Sequence, residues 1–210
     1  MMHKNIAPDL KTIAARKLAK IPANVSIQWI EDARGKPALK VQPTQKDFSV
    51  EDEYIVTLTG FEFTDGVIEF DALGQSGPSQ SNFLGVAFRV VDERTHDAVY
   101  FRPFNFRADD AERKAHAVQY VSHPQYHWFD LRKDRPGQYE KPIVPAPDGD
   151  AWFHARIVIE RPKVSVYVNA AREPSLVVEE LSDRMGGGIG LWVGPGQGGH
   201  FANLKIIPAS

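Results

Sequence analysis

The stretch FLGVAFRVV at 83–91, followed by DAVYFRPFNF at 97–106, decides the fold. Apolar residues recur there with period two, the repeat of a strand that lays one face on a core. Leu84, Val86, Phe88 and Val90 form the apolar set, and Phe83, Gly85, Ala87 and Arg89 point the other way. In the next run Val99 and Phe101 continue the apolar set, leaving Tyr100 and Arg102 opposite. No helical period of comparable strength separates the two runs, so a doubly wound α/β sheet is not expected.

The same alternation extends in both directions along the chain. In WFHARIVIE (152–160), Phe153, Ala155, Ile157 and Ile159 face inward, with Trp152, His154 and Arg156 outward. In KVSVYVN (163–169), Val164, Val166 and Val168 face inward, with Ser165, Tyr167 and Asn169 opposite. GIGLWVG (188–194) places Ile189, Leu191 and Val193 inward and Trp192 on the face of Gly188 and Gly190. VSIQWI and ALKVQ flank the turn residues EDARGKP and predict a hairpin. EYIVTLTGFEF leads through Asp65-Gly66, a turn pair, into VIEFDAL. Many short strands divided by Gly, Pro, Asn and Asp predict a two-sheet antiparallel β-sandwich of the jelly-roll type. Residues 1–22 read as an N-terminal arm. A short helix over 8–20 is expected there from Leu10, Ile13, Ala14 and Leu18 and ends at Pro22. Residues 23–210 read as one sandwich domain.

Composition narrows the function classes. With 210 residues and 42% apolar content the chain can bury a core without staples. Its formal charge of −2 lacks the basic surplus of a nucleic-acid binder. There is no cysteine, which removes disulfides and thiolate chemistry. No apolar run has the length of a transmembrane helix. The first twenty residues lack the continuous apolar core of a secretory signal. As written the chain would be cytoplasmic, or exported if a leader was removed.

The non-core faces carry aromatic, arginine, amide and glycine residues rather than the usual Lys, Glu and Thr. Such a face suits a sugar, whose C–H-rich side lies on aromatic rings while its hydroxyls bond to planar polar groups. Trp192, Trp128, Tyr100 and Tyr167 are the expected stacking residues. Arg89, Arg102, Asn105, Gln119 and Asn169 are the expected polar contacts. Arg89 and Arg102 are expected to converge on one pocket. The segment QYVSHPQYHWFDLR (119–132) opens a loop running to about residue 150. Either it builds one wall of a ligand groove or its aromatics only pin the loop down.

These pieces resemble the concanavalin A-like lectin/glucanase superfamily. More narrowly, they resemble the bacterial 3-keto-disaccharide hydrolase-type domain of unknown function, which also resembles laminin G-like sandwiches. The resemblance is carried by FTDGVIEFDAL, FLGVAFRVVD, AVYFRPFN, VQYVSHP, WFHARIVI, VSVYVN and GGIGLWVGPGQGGHFANLKI, over about residues 25–207. It implies a jelly-roll sandwich that handles carbohydrate. The superfamily's retaining glucanases use a Glu-x-Asp-x-x-Glu strand, and here Glu69-Phe70-Asp71-Ala72-Leu73-Gly74 lacks the second glutamate. Ordinary glucanase chemistry is therefore not expected. The family name implies cleavage of a glycoside oxidised at C3, where a base could drive elimination. His154, His116 and Glu69 are the candidate bases, with Arg89 or Arg102 stabilising an enolate. A binding protein, a glycoside-processing hydrolase or lyase, and a protein-interaction module all remain open.

His116, His123, His127, His154 and His200 could supply zinc ligands or a base, and hydrogen-bonded loop histidines are the plainer reading. No cofactor is expected. Loop carboxylates in RADDAER (107–113) and DGD (148–150) could serve Ca2+, although neither has the spacing of a defined calcium loop. The glycine run at 186–199 lacks a P-loop lysine and is assigned to turns. The expected partner is a small carbohydrate or glycoside, with oligomeric state open.

Overall fold

A computed structural model of the chain describes residues 5–44, 49, 52–77 and 79–209. Among these residues two antiparallel seven-stranded sheets pack face to face. The first runs β1 (Ala19–Lys20), β4 (Tyr54–Leu58), β13 (Gly188–Val193), β6 (Leu84–Asp92), β7 (Thr95–Phe101), β8 (Val118–His123) and β9 (Glu140–Lys141). The second runs β12 (Leu176–Glu179), β11 (Lys163–Val168), β10 (Trp152–Glu160), β5 (Gly66–Leu73), β14 (Gly199–Pro208), β3 (Ala38–Pro43) and β2 (Val25–Ile30). The expected sandwich is what the chain forms. Val86, Phe88, Phe101, Phe153, Ile157, Val166, Ile189 and Leu191 are all buried between the sheets. Phe101 of the first sheet meets Phe153 of the second edge-on at 5.0 Å, and Phe106 meets Phe153 at 5.2 Å. Each such side chain contributes about 1.5–3 kcal/mol by leaving water.

The predicted hairpin is β2–β3, in register from Val25↔Pro43 to Ile30↔Ala38. Asp65-Gly66 does not join a hairpin. β4 and β5 lie in different sheets, so the chain crosses the sandwich there. The expected N-terminal helix is a single short one, α1 (Leu10–Ala14), capped by Asp9. Leu10 and Ile13 are buried in the main core, and Ala19–Lys20 pairs with β4. The long connection after β8 contains a second structured piece, the helix from Trp128 to Asp134.

One expectation fails for a local reason. Arg89 does not share the face of Tyr100 and Arg102. The β6–β7 register shifts between Phe88 and Asp92, and Arg89 adopts a left-handed φ of 51°. A bulge of this kind adds one residue and reverses the alternation beyond it. Arg89 therefore turns into the end of the sandwich, fully buried. It donates to Glu180 at 3.0 and 2.7 Å, to Asp65 at 3.1 Å and to the Met185 carbonyl at 2.6 Å. Asp97 lies 4.0 Å away and is itself held by Arg184 and Ser182. Arg89 thus closes the fold and does not converge with Arg102.

Candidate functional site

The outer face of the first sheet holds a cavity of about 370 Å³. Its floor follows from one glycine. Gly85 sits in register between Trp192 on one side and Tyr100 on the other. With no side chain at 85, the two rings lean together over β6 and stack at 4.5 Å and 26°. Arg102, two residues beyond Tyr100, lies over the Tyr100 ring at 4.8 Å and 6.0 Å from the Trp128 ring. Arg132 covers Trp128 at 4.8 Å. The helix carrying Trp128 and Arg132 forms one wall, and Phe83, Phe104 and Pro195 complete the apolar lining.

A polar network fixes this floor. Arg102 donates to the Tyr100 hydroxyl at 2.7 Å, to Gln119 Oε1 at 2.6 Å and to the His116 carbonyl at 3.0 Å. Tyr100 donates in turn to Gln119 Oε1 at 3.1 Å. Burial, joined by the nearby Glu53 and Glu140 carboxylates, pushes the Tyr100 hydroxyl up to about 12 against the pull of Arg102. It is a protonated donor at neutral pH. Glu140 accepts both Arg132 bonds at 2.9 and 2.8 Å and lies 2.8 Å from His116 Nδ1. Burial lowers the His116 imidazole despite Glu140, so His116 is held neutral more readily. Trp192 keeps a buried indole N–H without an acceptor. Leaving such a donor unsatisfied is costly unless a ligand or solvent takes it.

The residues expected from the sequence fall into three places. Tyr100, Arg102, Asn105, His116, Trp128 and Trp192 line the cavity, with Gln119 directly behind Tyr100 and Arg102. Glu69, His154, Tyr167 and Asn169 lie on the outer face of the second sheet, on the far side of the core. There Glu69 is 3.6 Å from Lys205, and Arg156 covers Tyr167 at 4.2 Å. Asn169 accepts from the His154 backbone, while the His154 ring is paired to Asp71 at 2.8 Å. Asp71 also accepts from Lys36 and Asn203, both at 2.7 Å. Arg89 is the third case, in the sandwich end. Apart from Arg89, alternation assigned these outward faces correctly, but it could not say which of the two sheets each strand joins.

Three of the loop carboxylates named for Ca2+ are engaged locally. Asp110 caps a short helix, Asp148 accepts from Asp150 N and Arg107, and Asp150 accepts from Ser76. Among the described residues, metal-ligating atoms gather at Glu53, His96 and His123. His96 shares the outward face of Ala98, Tyr100 and Arg102, a period-two signal readable in the sequence. Glu53 had no such signal, because it precedes its strand. Arg132 and Arg113 were likewise missed, since helical side chains carry no strand alternation, and so was Glu140, whose two-residue strand is too short to show one.

No protein-family model and no curated protein matches the chain. Solved structures match its fold. The carbohydrate binding module CBM66 from Bacillus subtilis is 14% identical, with a TM-score of 0.54 over 87% of this chain and 95% of that one. A Bacillus subtilis protein of unknown function with a galectin-like fold is 11% identical, with a TM-score of 0.54 over 90% and 97%. A proposed glycosyl hydrolase from Parabacteroides distasonis ATCC 8503 is 13% identical, with a TM-score of 0.55 over 99% and 100%. These likenesses show the fold, a two-sheet antiparallel β-sandwich shared with all three structures. No described helix is long and apolar enough to cross a membrane.

Proposed function

We propose that the protein binds a small carbohydrate or glycoside in the cavity above Tyr100 and Trp192. The observation that carries this reading is the combination of stacked aromatics, Trp128 and a network-held Arg102 around about 370 Å³. That volume falls within the ~300–1,000 Å³ of small-molecule sites, which pair apolar lining with a few fixed polar groups. A sugar ring would lie on the exposed edge of Trp128. Its hydroxyls would meet Asn105, Arg113, Arg132 and the Trp192 indole. The binding module among the structural neighbours is in keeping with this use of the fold.

The test is a thermal-shift and calorimetric panel of neutral, acidic and 3-keto mono- and disaccharides. Intrinsic fluorescence should report binding, because two of the four tryptophans line the cavity. Bound ligand raises apparent stability with occupancy, so the screen assumes no mechanism. Failure of every sugar to shift stability, or binding that survives loss of Trp128, would remove the reading.

A second reading is catalytic and rests on His116 alone among the candidate bases. It lies in the cavity wall, oriented by Glu140 and held neutral by burial. A base so placed could take the acidic C–H beside a keto group, with Arg102 or Arg132 facing the enolate oxygen. Product analysis on keto-glycosides that bind in the panel separates the two readings.

A further inference from the structure

We propose a second, independent site: a divalent transition-metal ion of the Zn2+ class, held by Glu53, His96 and His123 at the edge of the cavity. His96 and His123 are cross-strand partners on β7 and β8, with rings stacked at 5.1 Å and 13°. Two strands of one sheet therefore fix both imidazoles before any ion arrives. Glu53, the residue before β4, brings its carboxylate to 2.5 Å from His96 Nε2 and 2.8 Å from His123 Nε2. The ligand atoms of the trio all lie within 4.8 Å of one another. Atoms gathered this closely are near the spacing required of ligands that each lie ~2.0–2.2 Å from one zinc ion.

Distance and direction disagree at these contacts, and the disagreement is informative. Neither His96 Nε2 nor His123 Nε2 makes a directed hydrogen bond, although both nitrogens are buried, and the same holds for Glu53 Oε2. An ion pair built for its own sake would aim an N–H at the oxygen. Lone pairs converging on a common point are what a metal needs.

Two imidazoles and one carboxylate favour Zn2+, Co2+ or Fe2+ over Ca2+ or Mg2+, which take oxygen shells. Three protein ligands also leave a coordination position open. Glu53 is a cavity-lining residue, so that position lies beside the proposed sugar site. Metal binding itself does not depend on the cavity taking a sugar.

The experiment uses the full chain, treated with a chelator and titrated with metal in the absence of sugar. One Co2+ per chain should bind, with the visible absorption of a low-coordinate site, and Zn2+ should displace it. The melting temperature should rise with Zn2+ and not with Ca2+ or Mg2+. Glu53→Gln and His123→Gln should each weaken Zn2+ binding at least about tenfold. Absence of saturable Co2+ or Zn2+ binding by the wild type overturns the proposal, and this arm needs no variant to fold. Equal affinity in wild type and Glu53→Gln overturns it as well. The trio is then an ion pair tying the chain before β4 to β7 and β8. Sugar titrations of Trp128→Ala report on the other site, so either reading can fall while the other stands.

Discussion

Replacing Arg89 with Ala separates a structural arginine from a binding one. In the folded protein Arg89 makes four hydrogen bonds, two to Glu180, one to Asp65 and one to the Met185 carbonyl. Removal leaves Glu180, buried, with Arg161 alone at 2.9 Å. Asp97 retains Arg184 at 2.6 Å and Ser182 at 2.9 Å, so it is not orphaned. Asp65 is 36% exposed and returns partly to water, so its bond counts for little. Breaking a buried ion pair typically costs about 3–5 kcal/mol. The partners that Glu180 and Asp97 keep put Arg89→Ala toward the lower end, ~3–4 kcal/mol. With a urea m-value of about 1–3 kcal/mol/M, the midpoint should fall by roughly 1–4 M at unchanged m. Sugar affinity of the folded variant should equal that of the wild type. A loss below ~1 kcal/mol would refute the account of Arg89 as a buried tie, since surface pairs contribute no more than that. So would a folded variant with markedly weakened binding.

Trp128→Ala should lower sugar affinity about five- to tenfold, the ~1–1.5 kcal/mol of an aromatic contact, with little change in melting temperature; calorimetry decides it. Gly85→Ala should cost ~1–3 kcal/mol and disturb the cavity floor, because the new Cβ would run into the Tyr100 backbone and the Val99 carbonyl. Near-ultraviolet circular dichroism of the Tyr100–Trp192 stack would read that change, and an unaltered spectrum would contradict the role given to Gly85. Burial raises the Asp71 carboxyl, but His154, Lys36 and Asn203 outweigh it and hold the folded-state value well below the ordinary one. Its stabilising contribution is thus present above the unfolded pKa, ~3.9, and is lost as pH falls through the folded one. Urea midpoints of wild type and Asp71→Asn should differ most near neutrality and converge below about pH 4; a constant gap would contradict the pairing.

The sequence by itself determined which side chains face the core. Val86, Phe88, Phe101, Phe153 and Leu191 are buried as alternation requires, because period two is a property of each strand's own backbone. It also determined that Tyr100, Arg102 and Trp192 share a kind of surface, and it marked the Trp128 segment as either a groove wall or a pin for its own loop. Only the tertiary structure decided which sheet each strand joins. That choice sends Glu69, His154, Tyr167 and Asn169 to the far side of the core, since identical alternation serves either layer. Only the tertiary structure turned Arg89 inward, through one left-handed residue that shifts the register and that neighbouring side chains do not announce. It alone brought Glu53 to His96 and His123. Contacts between residues 43 and 70 positions apart arise from chain crossings between strands, and local sequence carries no signal of where a crossing ends.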